Sequence, residues 1–110
     1  MPAQLSLNSL EYQAEQQVIA FTAAVDYDSF SSFAERLCQA LDCRVIEKQW
    51  GADRHQWLLD FEDTYLELHY EDYGQVSWLT AKSHHPQSAE VLVFLLGLMR
   101  PYLQAKRSLS

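Results

Sequence analysis

Three consecutive segments decide the fold, His55-Gln-Trp-Leu-Leu-Asp-Phe-Glu62, Thr64-Tyr-Leu-Glu-Leu-His-Tyr-Glu71 and Gln75-Val-Ser-Trp-Leu-Thr-Ala-Lys82. Apolar and polar side chains alternate along each segment, a pattern typical of half-buried β-strands. Aromatic and β-branched residues, which suit a pleated surface, are frequent in all three. Short turns at 62–63 and 72–74 separate the segments, and Gly74 is expected to supply a positive φ there. The stretch therefore predicts a three-stranded antiparallel meander.

The alternation predicts one apolar and one polar face for this meander. We expect the polar face to meet water or a partner. The apolar face is expected to comprise Trp57, Leu59, Phe61, Leu66, Leu68, Tyr70, Val76, Trp78 and Thr80, and the polar face Asp60, Glu62, Glu67, His69 and Glu71.

The rest of the chain supplies further strands and two helices. Strands are predicted within 4–13, with a break near 8–9, within 17–25, and at 43–50 before a turn at 51–54. Asp28 and Ser29 are good N-cap residues for a helix of about 14 residues. Its apolar stripe falls at helical spacing, at Phe30, Phe33, Ala34, Leu37, Cys38 and Leu41.

The last helix is predicted to begin at Pro86 or Ser88 and to carry two apolar stripes. A helix lying on a sheet needs one, so the second must pack against the first helix or against another chain. Pro101 with Gly97 four residues earlier predicts a bend or break at 97–101. The stripes are Leu92, Leu96, Met99 and Leu103, and Val91, Leu95, Leu98 and Tyr102.

These elements predict one α+β domain over residues 1–110 with two layers, an antiparallel sheet of four to six strands with two helices packed on one face. Meander connections make sequential strands neighbours. The sequence leaves open the strand order, whether 4–13 forms a strand, and where the strand at 17–25 joins the sheet.

Composition restricts the partners. The 15 acidic and 8 basic residues give a net charge of −7, which repels phosphate backbones and argues against nucleic-acid binding. The start Met-Pro-Ala-Gln resembles no secretion signal, and the apolar run at 91–99 is too short for a membrane span. We expect a cytoplasmic protein in which Cys38 and Cys43 stay reduced, since their spacing matches neither a redox pair nor a zinc knuckle.

Glu67, His69 and Glu71 form the sharpest polar cluster, because they share one face of a strand, with Asp60 expected on the neighbouring strand. Such a set is able to bind a divalent metal or perform acid–base chemistry. A solvated outer sheet face whose charges discourage aggregation is the interpretation we favour, so no metal or cofactor is predicted. The adjacent His84 and His85 point in different directions and form a weaker candidate.

Motifs of nucleophilic catalysis and phosphate binding are absent from a sequence with three glycines. The sequence thus leaves the question of an enzyme open but favours a non-catalytic role. Candidate contact residues are those of the second helical stripe, Val91, Leu95, Leu98 and Tyr102, and two tyrosines outside the apolar face, Tyr65 and Tyr73.

The order of elements, with Trp57-Leu-Leu-Asp-Phe61, Tyr65-Leu-Glu-Leu-His69 and the helix Val91-Leu-Val-Phe-Leu-Leu-Gly-Leu-Met99, resembles short single-domain proteins of unknown function from gamma-proteobacteria. A second resemblance, in size, acidity and α+β character, is to type III secretion chaperones, which are dimeric. An N-terminal amphipathic helix like theirs is missing here. Neither resemblance transfers a functional residue.

The expected function is protein–protein interaction by a small, acidic, homodimeric protein, as an adaptor, a chaperone-like protein or a regulator. The expected partners are a second copy and another protein. The alternative is a small metal-binding protein or enzyme that uses the Glu67, His69 and Glu71 face. A ligand pocket between sheet and helices is invisible in sequence.

Overall fold

A computed structural model describes residues 5–83 and 86–104, which form a six-stranded antiparallel sheet with two α-helices on one face. This confirms the predicted two-layer α+β architecture. The strands are β1 (Ser9–Gln13), β2 (Val18–Thr22), β3 (Arg44–Trp50), β4 (Arg54–Phe61), β5 (Thr64–Glu71) and β6 (Val76–Ala81), and the helices are α1 (Phe30–Leu41) and α2 (Pro86–Met99).

The strand order is β1-β2-β6-β5-β4-β3, which answers the question that the sequence left open. Strand β2 pairs antiparallel with β6, so that Ala20 lies opposite Trp78. Consequently the connection through α1 carries the chain from one half of the sheet to the far edge at β3. The predicted meander of β3 to β6 is present, with every neighbouring pair antiparallel.

Two tight turns join the strands of the central meander. Between β4 and β5, Glu62 and Asp63 have φ values of 49° and 71°, as the commonest two-residue hairpin turn requires. In the β5–β6 turn the positive φ, 52°, belongs to Gln75. The expectation that Gly74 adopts this conformation was therefore wrong, because the left-handed residue lies one position later.

The predicted faces are correct for β4 and β5 but wrong for β6. Trp57 and Leu68 are fully buried beneath the helices, whereas Val76, Trp78 and Thr80 lie on the opposite, helix-free face. The pairing fixes this result, because Trp78 is directly opposite His69 and Leu68 is opposite Leu79. The side chains that β6 turns toward the helices are Ser77, Leu79 and Ala81.

Helix α1 buries the predicted stripe in full, and all six of its residues line the core. The helix has 12 residues, two fewer than predicted, because Asp42 ends it with a left-handed φ of 58°. Ser29 occupies the N-cap position but makes no capping bond with its side chain. Its hydroxyl instead donates to Asp26 Oδ1 across 2.9 Å and so holds the preceding turn.

Helix α2 begins at Pro86 and ends at Met99, and a short 3₁₀ helix follows at Arg100–Tyr102. This change of helix type confirms the predicted break. No helix among the described residues has the length and apolar character needed to cross a membrane.

The segment after the 3₁₀ helix returns to the beginning of the sheet. Leu7 N donates to Tyr102 O and Gln104 N donates to Leu7 O, each across 2.8 Å. Leu7 is completely buried and is separated from β1 by a bend at Asn8, which agrees with the expected break there. These bonds fasten the end of α2 to the sheet.

Candidate functional site

The helix-free face of the sheet carries the polar cluster predicted from sequence. The Glu67 carboxylate and the His69 imidazole are in contact, with 3.2 Å between Oε1 and Nε2. Lys82 Nζ lies 3.8 Å from the other oxygen of Glu67. Both Glu67 and His69 are largely covered, with side chains 25% and 19% exposed. Two of the four candidate metal ligands are thus brought together.

The other two candidates lie elsewhere on the face. Asp60 is paired with Tyr65, while the position opposite His69 on β4 is taken by Gln56. The Asp60 carboxylate accepts from Arg44 across 2.8 Å and from the backbone N–H of Asp63 across 2.9 Å. Its oxygens are engaged in holding the β3 edge and the β4–β5 turn.

Glu71 lies two residues beyond His69 on β5, about 6–7 Å away along the strand, and is paired with Arg54. Across residues 5–83 and 86–104, no three side chains of histidine, cysteine, aspartate or glutamate are grouped closely enough to hold a metal ion. His84 and His85 lie outside the described residues.

Aromatic and apolar side chains share this face with the charges. The Trp78 indole stacks on the His69 ring, and Leu58 lies between Glu47 and Glu67 in the row of paired residues. A shallow depression of about 110 Å³ lies over Leu58. Sequence reasoning missed this arrangement because it placed Trp78 on the buried side.

The predicted contact residues of α2 are mostly covered by the chain itself. Leu95 has no exposed surface and belongs to the core, so a partner cannot reach it. Val91, Leu98 and Tyr102 are half-buried against the core. The sequence allowed the second stripe to pack within the chain or against another chain, and Leu95 packs within the chain.

A different side of α2 is exposed and apolar. Val93 and Phe94 expose 52% and 55% of their surfaces, and Gly97 and Pro101 continue this outer face beyond them. Sequence reasoning missed it because α2 is apolar around its whole circumference. The isolated charges Glu90 and Arg100, which lie at the borders of this face, were the available signal.

Phe94 connects the outer face of α2 to a groove at the end of the sheet. Its ring centroid is 5.7 Å from that of Phe61, the last residue of β4. Val91 completes the apolar floor, and Glu62 and Glu90 stand at the rim. The groove has a volume of about 290 Å³. Its apolar floor and acidic rim suit an apolar side chain flanked by basic groups.

The two tyrosines predicted as contact residues are exposed. Tyr65 exposes 52% of its surface on β5, and Tyr73 exposes 93% at the β5–β6 turn. They are on the sheet and its turn, whereas the exposed apolar face of α2 belongs to the helical layer. Trp50, 69% exposed at the end of the edge strand β3, is a further large apolar side chain in contact with solvent.

The thiols are poorly placed for nucleophilic chemistry. Burial raises the pKa of Cys38 to about 12, with a smaller contribution from the Glu35 carboxylate. Burial likewise raises the pKa of Cys43 to about 12, and the neighbouring Cys38 and Asp42 add to this effect. Neutral thiols are weak nucleophiles, because the thiolate is the reactive form.

Comparison with known proteins identifies a family. Residues 7–100 match the model of a family described as protein of unknown function (DUF3630). The match includes the polar cluster on β5 and the outer face of α2 as far as Arg100. Searches of the curated proteins and of the solved structures each found no match.

Proposed function

This chain belongs to the DUF3630 family, whose function is unknown, and we propose that it acts without catalysing a reaction, as a homodimer that binds another protein. The outer face of α2 carries the proposal. Val93 and Phe94 are adjacent, large and more than half exposed, although four other long side chains of this helix are buried, namely Leu92, Leu95, Leu96 and Met99. Contiguous exposed apolar groups of this kind mark interaction sites.

The groove beside this face supports the second part of the proposal. Phe61 and Val91 offer an apolar floor, while Glu62 places negative charge at the rim. We therefore propose that the other protein inserts an apolar side chain that is flanked by lysine or arginine. The net charge of −7 favours association with such a basic segment and opposes indiscriminate clustering of copies.

Light scattering coupled to size-exclusion chromatography tests the homodimer. We expect a dimer at high micromolar concentration and a monomer for Phe94→Glu, whose exposed position makes the change compatible with folding. Tyr73→Glu is the matched control, because Tyr73 is also an exposed aromatic residue but lies on the sheet side. A wild-type protein that stays monomeric at high micromolar concentration contradicts the homodimer.

A metal-binding protein or small enzyme that uses Glu67, His69 and Glu71 is the second candidate. The 3.2 Å contact of His69 with Glu67 favours it, since an imidazole and a carboxylate are common metal ligands. A rise in melting temperature with zinc, manganese or nickel that disappears in His69→Ala is the expected result for this candidate. Without such a rise it loses its support.

A further inference from the structure

We propose that two copies of the chain pair through antiparallel α2 helices, around a two-fold axis level with Leu95. In this arrangement Glu90 of one copy meets Arg100 of the partner subunit, and Val93 packs over Gly97 of the partner subunit. The inference rests on the proposed homodimer and specifies how the second copy docks.

Four exposed residues of α2 form one continuous face with Arg100, the first residue of the 3₁₀ helix that follows directly. Glu90, Val93, Phe94, Gly97 and Arg100 are all exposed. At 3.6 residues per turn, these five positions fall within an arc of about 120°. Such an arc is the width of contact that one helix presents to another.

Gly97 leaves an opening in this face. A Cβ atom added there would meet nothing within 4 Å, so the position is open toward solvent. Val93 is two residues before Leu95 and Gly97 is two residues after it. When a second α2 runs antiparallel about that level, each exposed Val93 side chain faces the glycine of the partner. Small residues permit this close approach of helices, and the valine fills the space.

The charges at the borders of the face obey the same symmetry. Glu90 is five residues before Leu95 and Arg100 is five residues after it. Within one chain they are about 15 Å apart along the helix axis, too far for an ion pair. Neither makes an ion pair with another described residue. Antiparallel pairing brings each glutamate level with an arginine of the other copy.

Phe94 occupies the middle of the contact. It is one residue from the level of the axis, so the two Phe94 rings of a dimer are neighbours. Its contact with Phe61 in the same chain holds the ring in place, which reduces the conformational entropy lost on pairing. Stacked or tilted aromatic pairs add to the free energy of apolar burial.

The matched positions favour a second copy over an unrelated protein. In a two-fold interface residue i contacts residue j and j contacts i, so one surface must contain both halves of every contact. The α2 face meets this condition, because it contains both Val93 and the open position at Gly97, and both Glu90 and Arg100. The helix has 14 residues and is about 21 Å long, a contact for which we expect a dissociation constant in the micromolar range.

Charge exchange tests the pairing directly. Equilibrium sedimentation of full-length protein gives dissociation constants for wild type, Glu90→Arg, Arg100→Glu and the double variant. We expect each single change to weaken the dimer about tenfold and the double change to restore it, because the double variant recreates both ion pairs with reversed sign. Gly97→Gln should give a monomer with an unchanged or raised melting temperature, since its Cβ has room and glutamine favours helix. Ser32→Gln, on the exposed side of α1, should leave the dimer intact.

The outcomes separate this inference from the proposed function. Dimers in which the double charge exchange restores nothing, or in which Gly97→Gln has no effect, overturn the antiparallel α2 pairing and leave the homodimer standing. A monomeric wild type overturns both. Restoration by the double exchange together with a monomeric Gly97→Gln variant supports the pairing.

Discussion

The imidazole of His69 lies flat against the indole of Trp78, with 4.9 Å between ring centroids and 7° between ring planes. The two residues are directly opposed on β5 and β6, on the face of the sheet that the helices leave uncovered. The stack shields one side of the indole, although none of the elements formed by residues 5–83 and 86–104 makes a second layer over this part of the sheet.

Replacing Trp57 or Trp78 with alanine should lower the unfolding free energy by different amounts, because the two side chains lie on opposite faces of the sheet. Trp57 is completely buried, and Trp57→Ala should cost about 3–5 kcal/mol of unfolding free energy. Trp78 is only half-buried, so Trp78→Ala should cost about 1–2 kcal/mol. Urea denaturation measures both values. Equal costs would be inconsistent with Trp78 on the open face.

Combining Trp78→Ala with His69→Ala should reveal the energy of the ring stack. Because the rings are in contact, we expect a coupling of about 0.5–1.5 kcal/mol in a double-mutant cycle. Pairing Trp78→Ala with Tyr73→Ala provides the control, since Tyr73 is almost fully exposed in a turn. That second cycle should give a coupling near zero.

Asp72 connects the β5–β6 turn to the segment that leads into α1. Its Oδ1 accepts from the Tyr70 hydroxyl across 2.7 Å and from the Tyr27 backbone N–H across 3.1 Å. Asp72→Ala leaves both donors without this partner and should lower the unfolding free energy by about 1.5–3 kcal/mol. Asp28→Ala, an exposed carboxylate nearby in sequence, should change it by less than ~0.5 kcal/mol. Equal effects would argue against the linking role of Asp72.

In the β5–β6 turn, a glycine should stabilise the fold at position 75 but not at position 74. Gln75 has a φ of 52°, a conformation that costs a side-chain-bearing residue free energy, so Gln75→Gly should raise the unfolding free energy by about 0.5–1 kcal/mol. Gly74 does not have a positive φ, and an added Cβ meets its neighbours at ordinary contact distances. Gly74→Ala should therefore be neutral or slightly stabilising. Thermal unfolding distinguishes this result from the reverse.

Alkaline pH should destabilise the fold through the buried thiols. Burial raises the pKa of Cys38 and Cys43 from 9.0 to about 12, so between these values the unfolded chain loses protons that the folded chain keeps. Stability is therefore fully present below about pH 9 and falls as the pH rises toward 12, by up to ~1.4 kcal/mol per pH unit for the buried Cys38 thiol and by less for the half-buried Cys43 thiol. Urea midpoints measured across this range should fall less steeply in the Cys38→Ala, Cys43→Ala double variant.

The fold was largely predictable from sequence, because alternation along β4 and β5 and the single stripe of α1 each allow one buried side. In β6 both sides are similar in character, since Ser77, Leu79 and Ala81 are hardly more apolar than Val76, Trp78 and Thr80. The packing of α2 against β6 decides the matter. Small residues beneath the helix leave room for its leucines, and the bulky indole turns to the other face.

The outer surface of α2 could not be predicted for a related reason. Apolar residues surround the helix, so periodicity cannot indicate which side faces the core. Leu95, expected in a contact surface, lies in the core, and Val93 and Phe94 lie outside it. The buried side of α2 depends on where α1 lies in the folded chain, and the sequence of α2 alone does not contain that information. The cluster on β5 was placed correctly, because strand alternation alone puts Glu67, His69 and Glu71 on one face.

The pairing of β2 with β6 has a consequence for the order in which the chain matures. During synthesis β2 leaves the ribosome long before the strand that must hydrogen-bond to it, whereas β3 to β6 can associate through nearby contacts as they emerge. Distant pairings of this kind close slowly, since a long loop must be ordered first. The β2 edge of the β1–β2 hairpin therefore stays unpaired until β6 has been synthesised. Nascent chains halted before Val76 are the species from which aggregation should begin.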